Sequence, residues 1–169
     1  MDLHGYFKQL ALYHVWATQR LLQDHVGSMP QASCMRQTGL FFGSVHRTLN
    51  HLLVAETIWL ARFVDGKSPI LALDVELETD GARLAQVLMA TGPRWISWLD
   101  ALDPVRLDGT LRYRRSDGQA LTLPFAETLG HVFNHATHHR GQVTAALTAM
   151  GHASPELDWV RLLQSRSAD

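Results

Sequence analysis

A cluster of histidines near residue 135 is the part of this chain best suited to chemistry. Four of the ten histidines fall within the stretch HVFNHATHHRGQ, residues 131–142. His135 and His139 are four residues apart, so on a helix of 3.6 residues per turn they lie one turn apart on nearly the same face. Both imidazoles can therefore bind one divalent metal ion, which gives at least half of a metal site.

A third ligand has to come from another helix, as in the metal sites of helix bundles. The segment of residues 40–64 offers two candidates, His46 and His51. On a helical wheel both lie about 100° or more from the centre of the apolar arc, on opposite sides of it. Periodicity therefore does not choose between them.

Glu56 falls inside the apolar arc of the same helix, where an ionised carboxylate needs a cation, a metal or hydrogen-bond donors. One interpretation is a general base, or a partner that orients a metal-binding histidine. The other is an ion pair with an arginine at the edge of the core, such as Arg62 or Arg140.

The remaining candidates are weaker. On the wheel of the last long helix His138 points furthest from the core, and we expect it to meet solvent. The scattered His4, His14, His25 and His152 are predicted to be surface or capping residues. The single Cys34 excludes an intramolecular disulfide and a cysteine-rich zinc site, and no neighbouring base marks it as a nucleophile. The five tryptophans are predicted to anchor the core or an interface.

Helical periodicity recurs along the chain and must position these side chains. A β-hairpin around Asp117-Gly118 interrupts it. We predict an all-α fold, an antiparallel four-helix bundle in one domain of residues 1–169, with the hairpin inserted before the fourth long helix and a short C-terminal helix. The predicted long helices are 3–26, 40–64, 81–102 and 124–150, the strands are 110–115 and 119–123, and the last helix is 155–164.

Composition and motif content argue against several classes of function. The 169 residues carry a net charge of −1 and no basic cluster, so we expect no nucleic-acid partner. The chain shows no secretory signal and no apolar stretch of about 20 residues, so we expect no membrane partner and a cytoplasmic location. Motifs typical of serine hydrolases, P-loop and dinucleotide-binding proteins and HExxH metalloproteases are absent.

Two segments resemble the DinB family, the damage-inducible DinB/YfiT-like four-helix bundles that are distinct from the similarly named DNA polymerase. The first segment reads TLNHLLVAE followed by IWLAR, residues 48–56 and 58–62. The second reads HVFNHATHHRGQV, residues 131–143, and LDW at 157–159 adds a weaker match near the end. The resemblance implies a divalent metal ion held by His51, His135 and His139, and nitrogen ligands of this kind suit zinc or nickel.

The resemblance also implies a range of functions. The first is a metal-dependent enzyme of the thiol-dependent transferase type, acting on a small molecule with a low-molecular-weight thiol. A metal-dependent hydrolase is the second. Apart from the resemblance, a non-catalytic, metal-stabilised stress-response or protein-interaction module is an alternative from a different class. The family also favours a homodimer.

Overall fold

The computed structural model describes residues 1–115 and 117–167 of the chain, so the last two residues of the predicted domain and Ser116 lie outside the described residues. Two short 3-10 helices, Val26–Ser28 and Pro104–Asp108, accompany the main elements. In chain order these are α1 (Leu3–Asp24), α2 (Gln31–Met35), α3 (Val45–Phe63), α4 (Gly81–Ala101), β1 (Thr110–Arg114), β2 (Ala120–Pro124), α5 (Phe125–Ala149) and α6 (Trp159–Arg166).

The four predicted long helices are confirmed as α1, α3, α4 and α5, and the hairpin is confirmed as the antiparallel pair β1 and β2. The second long helix begins at Val45, later than predicted, because the Ser44 hydroxyl accepts the Arg47 N–H and caps the helix there. The short helix α2 in the preceding segment was not predicted. The last helix begins at Trp159, later than the predicted residue 155.

Local signals explain two other boundaries. The Asp80 carboxylate accepts the Arg83 N–H at 2.7 Å and caps α4. Helix α4 then continues through Pro93, whose missing N–H neither ends nor divides it. Helix α5 ends before Gly151, which takes the positive φ of 78° that favours glycine after a helix.

The long helices form a bundle in which α1 packs against α4 and α5, and α3 packs against the same two helices. Helices α1 and α4 are antiparallel, since His4 near the start of α1 bonds to the Leu99 carbonyl near the end of α4. Helices α3 and α5 are also antiparallel, since Phe63 contacts Phe125. The predicted antiparallel arrangement therefore describes these two pairs.

The other two neighbouring pairs run parallel. Phe7 of α1 lies beside Gly130 of α5, and Arg140 further along α5 reaches His14 of α1. Asn50 near the start of α3 bonds to Glu78 just before α4, and the two helices proceed side by side. A chain that joins two parallel neighbours has to travel back along the bundle, so residues 64–80 run lengthwise over one face of α3.

Apolar side chains fill the interior in two large clusters, one around Leu22, Leu53 and Leu147 and an aromatic one around Trp95 and Phe125. Burial of these faces is the main force that holds the four helices together. Among the described residues, no helix is long and apolar enough to cross a membrane.

Candidate metal centre

The structure brings His51, His135 and His139 together at the junction of α3 and α5. Because the two helices are antiparallel neighbours, His51 of α3 faces the pair that α5 presents one turn apart. The Nε2 atom of His135 lies 3.3 Å from Nε2 of His51 and 3.1 Å from Nε2 of His139. One ring nitrogen from each residue lies within 4.8 Å of those of the other two.

These spacings suit one shared metal ion. Two nitrogen ligands at the usual zinc distance of 2.0–2.1 Å, separated by a tetrahedral angle, lie about 3.3 Å apart. The two Nε2 pairs around His135 match that spacing within about 0.2 Å. The donor set of three imidazoles suits zinc or nickel.

The hydrogen bonds behind two of the rings fix which nitrogen carries the proton. The His51 Nδ1–H donates to the Leu73 carbonyl at 2.8 Å, and the His139 Nδ1–H donates to the Gln142 side-chain oxygen at 2.8 Å. Each Nε2 therefore keeps its lone pair and turns it toward the shared centre. Such bonds to the second ring nitrogen are typical of metal-binding histidines.

The electrostatic environment keeps the three imidazoles neutral. Burial lowers the pKa of His51, and burial together with the neighbouring histidines lowers the pKa of His135 to about 3. Burial is also the main cause that lowers the pKa of His139 to about 4. Since a metal binds the unprotonated ring, these side chains are ready to bind at neutral pH.

Several side chains that support this centre were not recognised in the sequence. Phe42 stacks on the His51 ring, with centroids 4.0 Å apart and planes 20° from parallel. Asn50 holds the loop of residues 64–80 through bonds of 2.9 and 3.0 Å with the backbone of Glu78. The position of Gln142, three residues after His139, was the one available signal for its role. His138 is exposed, as predicted, and contacts Gln142 at 3.1 Å.

A cavity of about 340 Å³ opens beside the three histidines. His51 and His135 form part of its wall, and the loop of residues 64–80 covers one side of it. Trp59 also lines this cavity, half-buried, so it is not only a core anchor. The lining residues are His51, Ala55, Ile58, Trp59, Arg62, Pro69, Leu71, Leu73, Tyr113, Arg115, His131 and His135.

Glu56 lies in the centre of the bundle, 4% exposed. Its carboxylate accepts the Trp95 indole N–H at 2.6 Å and lies 3.0 Å from His14 Nε2. The direct charged or polar partner of Glu56 on this side is therefore His14 and not an arginine. Arg140 contacts the other ring nitrogen of His14, with its guanidinium 3.1 Å from His14 Nδ1. Among the described residues, the hydrogen bonds of Glu56 do not reach the three clustered histidines, and its role in catalysis stays a prediction.

Charge and hydrogen bonding hold Glu56 ionised. Burial alone raises the pKa of its carboxyl, but His14, the hydrogen bond from Trp95 and the charge of Arg140 together lower it. The Arg140 guanidinium can only donate, so His14 Nδ1 accepts and His14 Nε2–H donates to Glu56. This chain of partners satisfies a carboxylate inside the core.

The other histidines divide into surface and core. The prediction of a surface position for His14 is wrong, because it is 4% exposed and belongs to the Glu56 network. His46 is also buried and lies within 3.1 Å of Asn50, on the opposite side of α3 from the metal centre. His25 is half-buried at the C-cap position of α1, which fits the predicted capping role. Cys34 is buried, and burial raises the pKa of its thiol.

Comparisons with known proteins agree with this fold. The model of the DinB family matches residues 1–168. Protein DinB of Bacillus subtilis (strain 168) is 27% identical over 154 residues, which are 87% of each chain. A solved structure of YfiT from Bacillus subtilis, described as a probable metal-dependent hydrolase with an unusual four-helix bundle topology, is 15% identical, covers 89% of each chain and has a TM-score of 0.65.

A second solved structure, a DinB-like protein from Bacillus cereus ATCC 10987, is 20% identical with a TM-score of 0.67. It covers 89% of this chain and 94% of its own. At these identities the two structures establish the four-helix bundle fold and leave the activity open.

Proposed function

The chain belongs to the DinB family, and from that premise we propose that it is a divalent-metal-dependent enzyme acting on a small molecule. The observation that carries the proposal is the convergence of three neutral imidazole nitrogens beside a cavity. His51, His135 and His139 would hold the ion. A divalent ion bound there would lower the pKa of a water or thiol and polarise a carbonyl group.

The number of ligands favours a catalytic over a structural metal. Structural zinc sites are usually closed by four protein ligands, whereas catalytic sites use three and keep a position open. Among the described residues, the cluster contains three suitable side chains. An open position next to a cavity of about 340 Å³ supports binding of a small substrate there.

Residues around the metal centre and the cavity would orient the metal ligands, exclude water and contact the substrate in such an enzyme. Leu73 and Gln142 hold the rings of His51 and His139 in the tautomer that binds metal. Phe42 covers one face of the His51 ring and excludes water from that side. Ile58 and Leu71 give the cavity apolar walls against which a substrate can pack.

The attacking group distinguishes two forms of the proposal. In the first, a low-molecular-weight thiol attacks an electrophilic substrate, which makes the protein a thiol-dependent transferase. In the second, water attacks and the protein is a hydrolase, a form favoured by the description of the YfiT structure as a probable metal-dependent hydrolase. Both forms use the same three histidines.

Turnover assays with and without thiol separate these forms. The metal-loaded protein would be tested on small esters and on thiol-reactive electrophiles, in the presence and absence of a thiol such as cysteine. Product formation that requires thiol supports the transferase, and thiol-independent cleavage of esters supports the hydrolase. The chelator-treated protein is the control.

Removing the metal tests catalysis against a purely structural role. We expect the metal-free protein to stay folded, because two large apolar clusters hold the four helices together without the metal, and to lose turnover. A protein that melts when the metal is removed and turns over no substrate would instead be the metal-stabilised interaction module.

A further inference from the structure

The cavity beside the metal centre extends well beyond the histidines. His51, Ala55, Trp59 and Arg62 line it from positions along one face of α3. Since an α-helix rises about 1.5 Å per residue, the backbone positions of His51 and Arg62 are about 16 Å apart. The cavity is therefore elongated, with the metal centre at one end and Arg62 toward the other.

Positive charge is concentrated away from the metal end. Arg62 and Arg115 both line the cavity, and no Asp or Glu is among the described residues that form its wall. Arg115 has a carboxylate neighbour outside the wall, since its Nε lies 3.7 Å from an oxygen of the exposed Asp117. Arg62 has no acidic partner within salt-bridge distance in the described part of the chain.

Arg62 is held in place by uncharged groups. Its guanidinium carbon lies 4.5 Å from the ring centre of Trp59 and 4.1 Å from that of Tyr113, and one terminal nitrogen donates to the Arg114 carbonyl at 3.2 Å. Two aromatic faces fix the plane of the guanidinium without neutralising it. A half-buried cation of this kind gains most from an anion brought by a ligand.

The pKa of Arg62 is consistent with this environment. Burial lowers it, and the nearby charge of Arg115 lowers it further, against the opposite effect of Tyr113. The two guanidinium groups are thus close enough to repel each other. A bound anion would offset both the free-energy cost of burying the Arg62 charge and its repulsion by Arg115.

We propose that this cavity selects small molecules that carry a carboxylate, held by Arg62, on an elongated and largely apolar body that reaches the metal centre. A carboxylate matches the planar fork of an arginine and is smaller than a phosphate in a cavity of about 340 Å³. The apolar body matches a wall that includes Ile58, Pro69 and Leu71. The inference rests on the proposed function, because it places the reacting end of the substrate at the three histidines.

The test compares carboxylates with uncharged molecules of the same shape. Hexanoate and octanoate would be titrated against hexanamide and octanamide by calorimetry, with both metal-loaded and metal-free protein. We expect each carboxylate to bind about tenfold more tightly than its amide, as for one charge-assisted hydrogen-bonded pair. Arg62→Gln should bring the ratio of the two dissociation constants, amide over carboxylate, close to one.

Arg112→Gln is the matched control, since Arg112 is an exposed arginine of β1 that does not line the cavity. It should leave the ratio unchanged. If Arg62 only fastens the hairpin to α3, then Arg62→Gln weakens carboxylate and amide equally, and that result overturns the proposal. If Arg62→Gln does not fold, Arg62→Met replaces it, because methionine keeps part of the apolar stem and removes the charge, and there an unchanged ratio overturns the proposal.

The metal-free protein separates this inference from the proposed function. A preference for carboxylates that survives Arg62→Gln and disappears with the metal places the carboxylate on the three histidines and contradicts the inference alone. A protein that binds no metal but shows an Arg62-dependent preference supports the inference about the cavity and contradicts the proposed function.

Discussion

Two polar clusters join α3 to α5, and they differ in what their histidines can still bind. At the metal centre, His51 and His139 use Nδ1 for a hydrogen bond and keep the Nε2 lone pair for a shared ligand. In the Glu56 network, both ring nitrogens of His14 are already engaged, by Glu56 and by Arg140. His14, His51 and His139 are all buried. The two clusters therefore differ in the hydrogen-bond partners of these histidines and in whether a ligand can reach them.

Burial of a histidine does not by itself indicate function. His14 links the Glu56 carboxylate to the Arg140 guanidinium inside the core, and its contribution is to the stability of the bundle. The histidines of the metal centre bring three ring nitrogens together beside a cavity. One cluster is satisfied by the fold, and the other requires a ligand.

The largest effect is expected when a histidine of the metal centre is removed. His135→Ala and His139→Ala should each remove the bound metal, because two imidazoles bind a divalent ion far more weakly than three. The metal content of dialysed protein, measured by elemental analysis, checks this. Retention of a full equivalent in either variant would show that the ligand set is different.

The next largest effect is expected from a substitution of Glu56, which should lower the stability of the fold and leave the bound metal in place. Glu56→Gln should lower the free energy of unfolding by about 2–3 kcal/mol, because the substituted amide cannot accept hydrogen bonds from both Trp95 and His14 as a carboxylate does. Denaturant unfolding measures it, with the exposed Glu127→Gln of α5 as control. Loss of metal without loss of stability would instead assign Glu56 to the metal centre.

The same network predicts how stability depends on pH. The fold lowers the pKa of Glu56 below its ordinary value of 4.5, so the ionised carboxylate stabilises the protein above that pH. The contribution is lost as the pH falls through the lowered pKa of the folded state. The stability difference between wild type and Glu56→Gln should therefore shrink below about pH 4.5, and a difference that grows on acidification would contradict the account.

A smaller effect concerns the support behind His139. Gln142→Ala should weaken metal binding by about tenfold, since the imidazole loses the partner that fixes its tautomer and orientation. Competition with a chromophoric chelator gives the affinity, and Asn134→Ala, an exposed amide on the same helix, is the control. Equal affinities in all three proteins would remove Gln142 from the site.

The smallest effect is expected at His138. This residue is exposed and contacts Gln142, not the shared centre of the three imidazoles. His138→Ala should keep the full metal equivalent under the conditions that empty His135→Ala. Equal losses in both variants would mean that α5 turns a different face toward α3.

The sequence predicted features that depend on neighbouring residues and missed those that depend on distant ones. Apolar spacing located the four long helices, and the spacing of His135 and His139 placed both rings on one face. The choice of His51 over His46 needed the family resemblance, because both lie off the apolar arc.

Features set by tertiary contacts lay beyond local patterns. The parallel pairing of α3 with α4 determines that residues 64–80 run along the bundle, and only then can the Leu73 carbonyl reach His51. His14 was misassigned for the same reason, since its partners Glu56 and Arg140 lie on two other helices. A wheel describes one helix and contains no information about its neighbours.

Metal content compared between wild type and His51→Ala is the most direct test of the account. The protein would be purified without an affinity tag or chelator and examined by elemental analysis, with circular dichroism to confirm that both proteins are folded. We predict about one divalent ion per chain in wild type and none in His51→Ala. Wild-type protein that binds no divalent metal after reconstitution, or a folded His51→Ala protein that keeps a full equivalent, would contradict the account.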